Sequence, residues 1–314
     1  MTSGTESTNK SASPAEWIAA DWGTSHLRVW VMGKGAQVLA RLSSDKGMGK
    51  LTPTEFEPVL LDLLADYLSD DAVLPVVCCG MAGARQGWVE APYAAVPCPP
   101  PSSETGCKVD VRDPRISVSI LPGIKQLEPA DVMRGEETQI AGVIAQKPDF
   151  AGVICLPGTH TKWVAVKDGI VTGFSTIMSG ELFALLGTQS VLRHSVGADG
   201  WQQDSFEAAV REVCDDPAAF ARVLFSVRAQ SLVSDLSPEA ARSRLSGLLI
   251  GLELAASRTY WSSGDVVIVG ADALADAYAA ALKLNGIEAQ KAEAEELTLN
   301  GLKAAYSKGI GTDQ

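Results

Sequence analysis

The sequence predicts an α/β protein built of two similar lobes, and three observations carry that prediction. A unit of apolar strand, Gly-Thr turn, alternating strand and Gly-containing turn occurs twice, over Trp17–Gly35 and Gly152–Gly169. Gly23 and Thr24 fall on Gly158 and Thr159 at an offset of 135 residues, where Val29 also falls on Val164 and Val31 on Val166. Each copy runs on into a third strand-like stretch, Gln37–Leu42 and Ile170–Ile177. Second, strand and helix patterns are mixed in both halves. Third, 314 residues suit two domains, each able to bury a core.

Taken in order, residues 1–14 are rich in Ser and Thr, lack the apolar stretch of a leader, and read as a disordered tail. The first lobe is set at 15–135. Thr54–Leu68 opens on a Thr cap and spaces Phe56, Val59, Leu60, Leu63, Leu64 and Tyr67 as a helix does. Val73–Cys79 is the near-continuous apolar run of a buried strand, and it ends in a small-residue loop, Gly80–Trp88. Pro92–Asp113 has too many prolines for a regular element and reads as a long functional loop. Ser117–Leu121 reads as a strand and Val132–Gln146 as a helix leading into the second repeat.

The second lobe is set at 136–314. Glu181–Leu192 reads as a helix, Ser205–Ser257 as mixed helical segments, and Val266–Val269 as a buried strand ending at Gly270. Leu274, Tyr278, Ala281 and Leu282 share one face of the next helix, which Asn285-Gly286 stops. Leu297–Tyr306 reads as a final helix able to pack back on the first lobe.

A formal net charge of −12 excludes non-specific binding to nucleic acid or anionic membrane, and it requires that any anionic substrate be met by cations gathered locally. No apolar run is long enough to span a bilayer; the expected location is the cytoplasm. The six cysteines form no C-x-x-C pair and read as free thiols of a reducing compartment. His26, His160 and His194 are scattered, so no zinc site is expected.

The two Gly-Thr turns can aim backbone N–H groups at the oxygens of a polyphosphate. Asp21, just before Gly23 and Thr24, suits a Mg²⁺ ion held through water, although it could simply cap its turn. The second turn has Leu156 at the matching position and offers Gly158, Thr159, His160, Thr161 and Lys162 to an anion instead. Lys162 could equally be a solvated hairpin charge. Near the expected crossover, Arg134 supplies a cation, and Asp131, Glu136 and Glu137 supply carboxylates. One of these could serve as the base that phosphorylation of an alcohol needs, or merely complement a helix dipole. Spacing does not choose among the three. Gly270 and Asp272, after a buried strand and opening a helix, mark a place for a nucleoside. Arg85, Gln86 and Trp88, with Arg134 and Lys162, are the candidate contacts to an acidic acceptor.

Five strings carry a resemblance: A-A-D-W-G-T-S-H-L-R at Ala19–Arg28, G-M-A-G-A-R-Q-G-W-V-E-A-P-Y at Gly80–Tyr93, D-V-M-R-G-E-E-T-Q-I at Asp131–Ile140, L-P-G-T-H-T-K-W-V at Leu156–Val164, and M-S-G-E-L-F-A-L-L at Met178–Leu186. They resemble the sugar kinase, actin and heat-shock chaperone ATPase superfamily, and within it the 2-dehydro-3-deoxygalactonokinase family. The resemblance spans roughly residues 16–310. It implies two ribonuclease-H-like lobes with a nucleotide cleft between them, and ATP with Mg²⁺ as cofactors. It implies 6-phosphorylation of 2-dehydro-3-deoxy-D-galactonate in galactonate breakdown. Asp21, Gly23 and Thr24 would take the first phosphate and Mg²⁺, Gly158, Thr159 and Thr161 the second phosphate, and Gly270 with its neighbours adenosine. The missing acid at Leu156 departs from the wider superfamily, so no metal role is assigned there. The G-E-E string is similar to that of the exopolyphosphatase branch, where a Glu at such a helix start is catalytic; this raises Glu136 and Glu137 above Asp131. Other readings remain: a kinase for a different sugar or keto-deoxy sugar acid, an actin-like nucleotide switch, or a polyphosphate hydrolase. Monomer and homodimer are both left open.

Overall fold

The computed structural model describes residues 15–310 except Ala198, Ser263 and Ala271, with the backbone alone at Asp272 and Ile310. The tail read at 1–14 lies outside these residues. The elements in order are β1 (Trp17–Trp22), β2 (Leu27–Met32), β3 (Val38–Ser44), α1 (Phe56–Leu64), β4 (Leu74–Gly80), β5 (Tyr93–Ala95), β6 (Cys107–Lys108), β7 (Ile116–Ile120), β8 (Gly123–Gln126), β9 (Asp131–Met133) and α2 (Glu136–Gln146). They continue with β10 (Gly152–Leu156), β11 (Thr161–Lys167), β12 (Ile170–Ile177), α3 (Ser179–Thr188), α4 (Gln203–Asp215), α5 (Phe220–Leu224), α6 (Ser226–Val233) and α7 (Pro238–Ala256). The last are α8 (Arg258–Trp261), β13 (Asp265–Gly270), α9 (Asp272–Leu284), β14 (Gln290–Glu293) and α10 (Ala294–Ile310).

The chain forms two compact units. One runs to Tyr93, resumes over Pro101–Gly123 and takes the stretch from Gly301; the other is Ala94–Pro100 with Ile124–Asn300. The division thus falls at Gly123/Ile124, where the sequence reading set it at 135/136.

In the first unit the sheet order is β3-β2-β1-β4-β7-β6. β1, β2 and β3 are an antiparallel meander, and β1, β4 and β7 run parallel. Ile18, Ala20, Trp22, Leu27, Val29 and Val31 share one face and pack with Phe56, Leu60 and Leu64 of α1. That helix buries one stripe, as its spacing predicts. Trp17, at the start of β1, stacks on Tyr306 of α10 with ring centroids 4.1 Å apart.

The second unit repeats the plan: β12-β11-β10-β13-β14, with β10–β12 antiparallel and β10, β13 and β14 parallel. Each unit is a ribonuclease-H-like α/β layer. One face of this second sheet packs Val153, Cys155 and Trp163 against α4, α7 and α9; the other packs Ile154, Leu156, Val164 and Val166 against α2. The inserted helices α4–α7 bury a further core around Val213, Val227, Leu245 and Leu248.

Three readings change. The stretch Pro92–Asp113, whose prolines predict no regular element, carries the short strands β5 and β6. Residues 131–133 are a strand paired with β8, and the helix starts only at Glu136. Gly135, at φ +104°, breaks the chain direction between them, a conformation open to glycine. β14 escaped notice because Gln290-Lys291-Ala292-Glu293 is a polar edge strand without an apolar alternation.

The two hairpins also differ in register. Val29 pairs with Ala20, whereas Val164 pairs with Ile154. Ala20 corresponds to Cys155 at the repeat offset, and Cys155 pairs with Trp163. The second hairpin turn is therefore one residue shorter, and the residues of β11 that match β2 in sequence point to the opposite face.

Candidate active site

The turn after β10 is held from several sides. Gly158 leaves no atom within 4 Å of where a Cβ would lie, so its outer side is open. α3 closes against its inner side. A Cβ on Gly180 would stand 2.2 Å from the Gly158 carbonyl oxygen, so only glycine lets the helix start come this close. The Glu181 N–H donates to the Thr159 carbonyl at 2.9 Å, and His160 Nε2 bonds Glu181 Oε2. The turn and the N-terminus of α3 thus share one corner, where helix N–H groups and the dipole favour an anion. Gly270, at the carboxyl end of β13, has Pro157 of the same turn as its neighbour.

That corner opens on a cavity of about 460 Å³, within the range of small-molecule sites. Gly158, Thr159, Ser179 and Gly180 form one end; Phe183, Trp201 and Arg242 and the α9 residues Ala273, Leu274, Ala277 and Tyr278 form much of the rest. The Arg242 guanidinium lies 5.0 Å from the Phe183 ring centroid. The side chain of Asp272 lies outside the described residues.

Strand alternation divides the support of the turn. Lys162 points to the α2 face and is 4% exposed. Its Nζ lies 3.1 Å from Glu136 Oε1 and donates to the His160 carbonyl at 3.1 Å, so it is a buried cation and not a solvated hairpin charge. Glu136 Oε2 accepts from the Arg134 N–H at 3.0 Å, and the side chain keeps 26% of its surface open. Glu137 is 1% exposed; its Oε2 accepts from the Gly135 N–H at 2.6 Å and its Oε1 from the Thr138 hydroxyl at 3.2 Å. Burial, then the neighbouring Glu136 charge, raises its pKa to about 8. Asp131 is spent on the fold: it accepts from Thr176 N–H at 2.6 Å, the Thr176 hydroxyl at 2.7 Å and Val132 N–H at 2.8 Å.

Thr161 and Trp163 point to the other face. Thr161 is fully buried, and its hydroxyl lies 2.9 Å from the Tyr278 hydroxyl. Tyr278 donates to Glu253 Oε2 at 2.8 Å, and Trp163 Nε1–H donates to Glu253 Oε1 at 2.8 Å. Glu253 is 1% exposed, and burial raises its pKa to about 7 against the hydrogen bonds that oppose the rise.

In the first unit the turn after β1 is held by its carbonyls. Gly23, Thr24 and Ser25 oxygens accept from Met48, Gly49 and Gly47 N–H groups at 3.0, 2.9 and 3.2 Å. Asp21 faces Arg28 across the β1–β2 register and is ion-paired with it. Among the described residues no group of three or more His, Cys, Asp or Glu could cage a metal. One carboxylate, 13% exposed, suits an ion that keeps its waters and takes phosphate oxygens as its other ligands, which is how Mg²⁺ binds nucleotides. In the loop after β4, Arg85 is 79% exposed beside Glu90, Gln86 is exposed, and Trp88 packs with Phe56 and Trp22 in an aromatic cluster.

A sequence model for the family described as 2-keto-3-deoxy-galactonokinase matches residues 21–305. The chain is 41% identical over 295 residues to a protein of Rhizobium meliloti named a probable 2-dehydro-3-deoxygalactonokinase, covering 92% of this chain and 96% of that one. The chain belongs to the 2-keto-3-deoxy-galactonokinase family. The Escherichia coli 2-dehydro-3-deoxygalactonokinase is 34% identical over 252 residues, covering 78% of this chain and 82% of that one. A solved structure of a protein assigned as a 2-dehydro-3-deoxygalactonokinase from Sinorhizobium meliloti superposes with a TM-score of 0.88 at 39% identity, covering 94% of this chain and 99% of that one.

Two sets of residues in this family member were missed from sequence. Ser179 and Gly180 were visible only as part of the M-S-G-E string, and nothing local showed that they meet the turn 20 residues earlier. Glu253 had one signal, a lone acid inside the apolar helical run Leu248–Ala256. No helix among the described residues is long and apolar enough to cross a membrane.

Proposed function

We propose that this protein is a cytoplasmic kinase that transfers the γ-phosphoryl group of ATP to the 6-hydroxyl of 2-dehydro-3-deoxy-D-galactonate. The observation that carries the site is the glycine turn at Gly158, packed on the start of α3 and backed by the buried Lys162–Glu136 pair, at the mouth of a cavity of nucleotide size. The family relatives support the acceptor.

In this reading adenosine occupies the cavity near Gly270 and α9, and the phosphates lie on the Gly158–His160 turn. Gly23 and Thr24 of the first unit form the other phosphate turn. Asp21 would hold Mg²⁺ through water, and the ion would supply charge neutralisation at the phosphates. Lys162 offsets charge at the transferring group and orients Glu136. The partly open carboxylate of Glu136 takes the proton as the 6-oxygen attacks phosphorus and the bond to ADP breaks. Glu137, neutral below its raised pKa, holds the helix start at Gly135. Arg85, exposed and planar, meets the acceptor carboxylate, with Arg134 as a second cation.

Coupled measurement of ADP release decides the acceptor. The keto acid derived from galactonate should drive turnover well above that of its gluconate-derived epimer and of neutral sugars. Strong turnover with another acid would reassign the acceptor, and low ATP turnover with every acid would favour a nucleotide switch.

A further inference from the structure

Glu253 is buried in the last turn of α7 and plays no part in the reaction described above. Its carboxyl gathers donors from two other elements, the Trp163 indole of β11 and the Tyr278 hydroxyl of α9, and the Tyr278 hydroxyl in turn meets the Thr161 hydroxyl of β11. Leu249 and Ile250, four and three residues before it on the same side of α7, line the cavity. Tyr278 lines it as well, so one of the two donors has one side on the cavity and the other on Glu253. An apolar side chain could fill the volume without the cost of burying a carboxyl group. What it could not do is fix both donors in one arrangement.

We propose that Glu253 is a positioning residue for the nucleotide. It locks the Thr161–Trp163 end of the phosphate turn and the Tyr278 wall of the cavity into a single geometry. The inference rests on the nucleotide reading of that cavity.

The test uses the full chain with a non-hydrolysable ATP analogue and Mg²⁺ in calorimetry, beside steady-state kinetics and thermal melting. Two variants are compared, Glu253→Gln and Tyr278→Phe. The first turns one acceptor oxygen into a donor; the second keeps the ring on the cavity and deletes the hydroxyl that bridges Thr161 and Glu253. Loss of one buried hydrogen bond at such a hub should weaken analogue binding and raise the KM for ATP about tenfold. The KM for the keto acid should stay within about twofold.

If wild-type protein fails to bind the analogue, the nucleotide reading falls. If wild type binds and both variants bind as tightly, the positioning role of Glu253 falls. A lower melting temperature with unchanged affinity of the folded protein makes Glu253 purely structural, which also overturns the proposal. Should Glu253→Gln fail to fold, Tyr278→Phe decides alone.

Discussion

The turn after β1 and the turn after β10 occupy the same place in the same strand order, yet their charges are arranged differently. At the first, Asp21 faces Arg28 across the hairpin, and the two neutralise each other within the sheet. At the second, the paired register positions hold Leu156 and Lys162. With an apolar partner on its own strand pair, Lys162 takes its counter-charge from α2, through Glu136. One turn is locally balanced and has a carboxylate to offer. The other puts a cation on the turn and a carboxylate on the neighbouring helix. A duplicated scaffold thus carries an ion pair within the sheet at one turn and an ion pair reaching to a neighbouring helix at the other.

Removing the pair should break the contrast most severely. Lys162→Met strands the Glu136 charge, and loss of one partner of a buried pair costs about 3 kcal/mol or more. Turnover should fall about 1,000-fold, with a lower melting temperature. Glu136→Gln should lose comparable turnover with little change in KM, while Asp131→Asn and Glu137→Gln keep most of theirs. Retained activity in Glu136→Gln would move the base to Glu137.

The first turn should respond less. Asp21→Asn should cost about 100-fold in turnover at ordinary Mg²⁺, recovering in part as Mg²⁺ is raised. Its melting temperature should hardly move, because Arg28 reaches solvent. Wild-type turnover would make the two turns alike in needing no acid.

Backbone approach offers a sharper comparison. A Cβ at Gly180 meets the Gly158 oxygen at 2.2 Å, whereas one at Gly23 meets nothing nearer than the His26 oxygen at 3.3 Å. Gly180→Ala should raise the KM for ATP about tenfold and Gly23→Ala much less. Equal effects would mean that α3 does not set the second turn.

The smallest effect is on stability. The Glu137 carboxyl has a pKa of about 8 when folded against 4.5 when free in the unfolded chain, so between these values the folded chain holds a proton that the unfolded chain has lost. The stabilisation is complete below about pH 4.5 and is lost as pH rises through about 8. Glu253, raised to about 7, acts in the same direction over a narrower range. Melting temperature should decline from mildly acidic to mildly alkaline pH, and Glu137→Gln should flatten the slope. An unchanged slope would remove Glu137 as its source.

The duplication was legible because a strand–turn–strand pattern is local: each Gly-Thr turn and its apolar flanks lie within 20 residues. The aligned valines do not fix the strand pairing, since sequence identity at Val29 and Val164 says nothing about a turn shortened by one residue. The three acids could not be ranked by spacing because their partners, Thr176, Lys162 and the Gly135 N–H, come from distant strands and from a glycine with an unusual backbone. Trp88 looked like a contact for the acceptor, yet the rings of Trp22 and Phe56 that pack against it stand 66 and 32 residues earlier in the chain.

The stacking of Trp17 on Tyr306 has a consequence for how the protein is made. The two rings lie at opposite ends of the chain. As the polypeptide leaves the ribosome, β1 through β7 emerge long before the helix that carries Tyr306. The first strand must wait out the synthesis of the entire second unit with that ring unstacked, and a domain begun first is finished last.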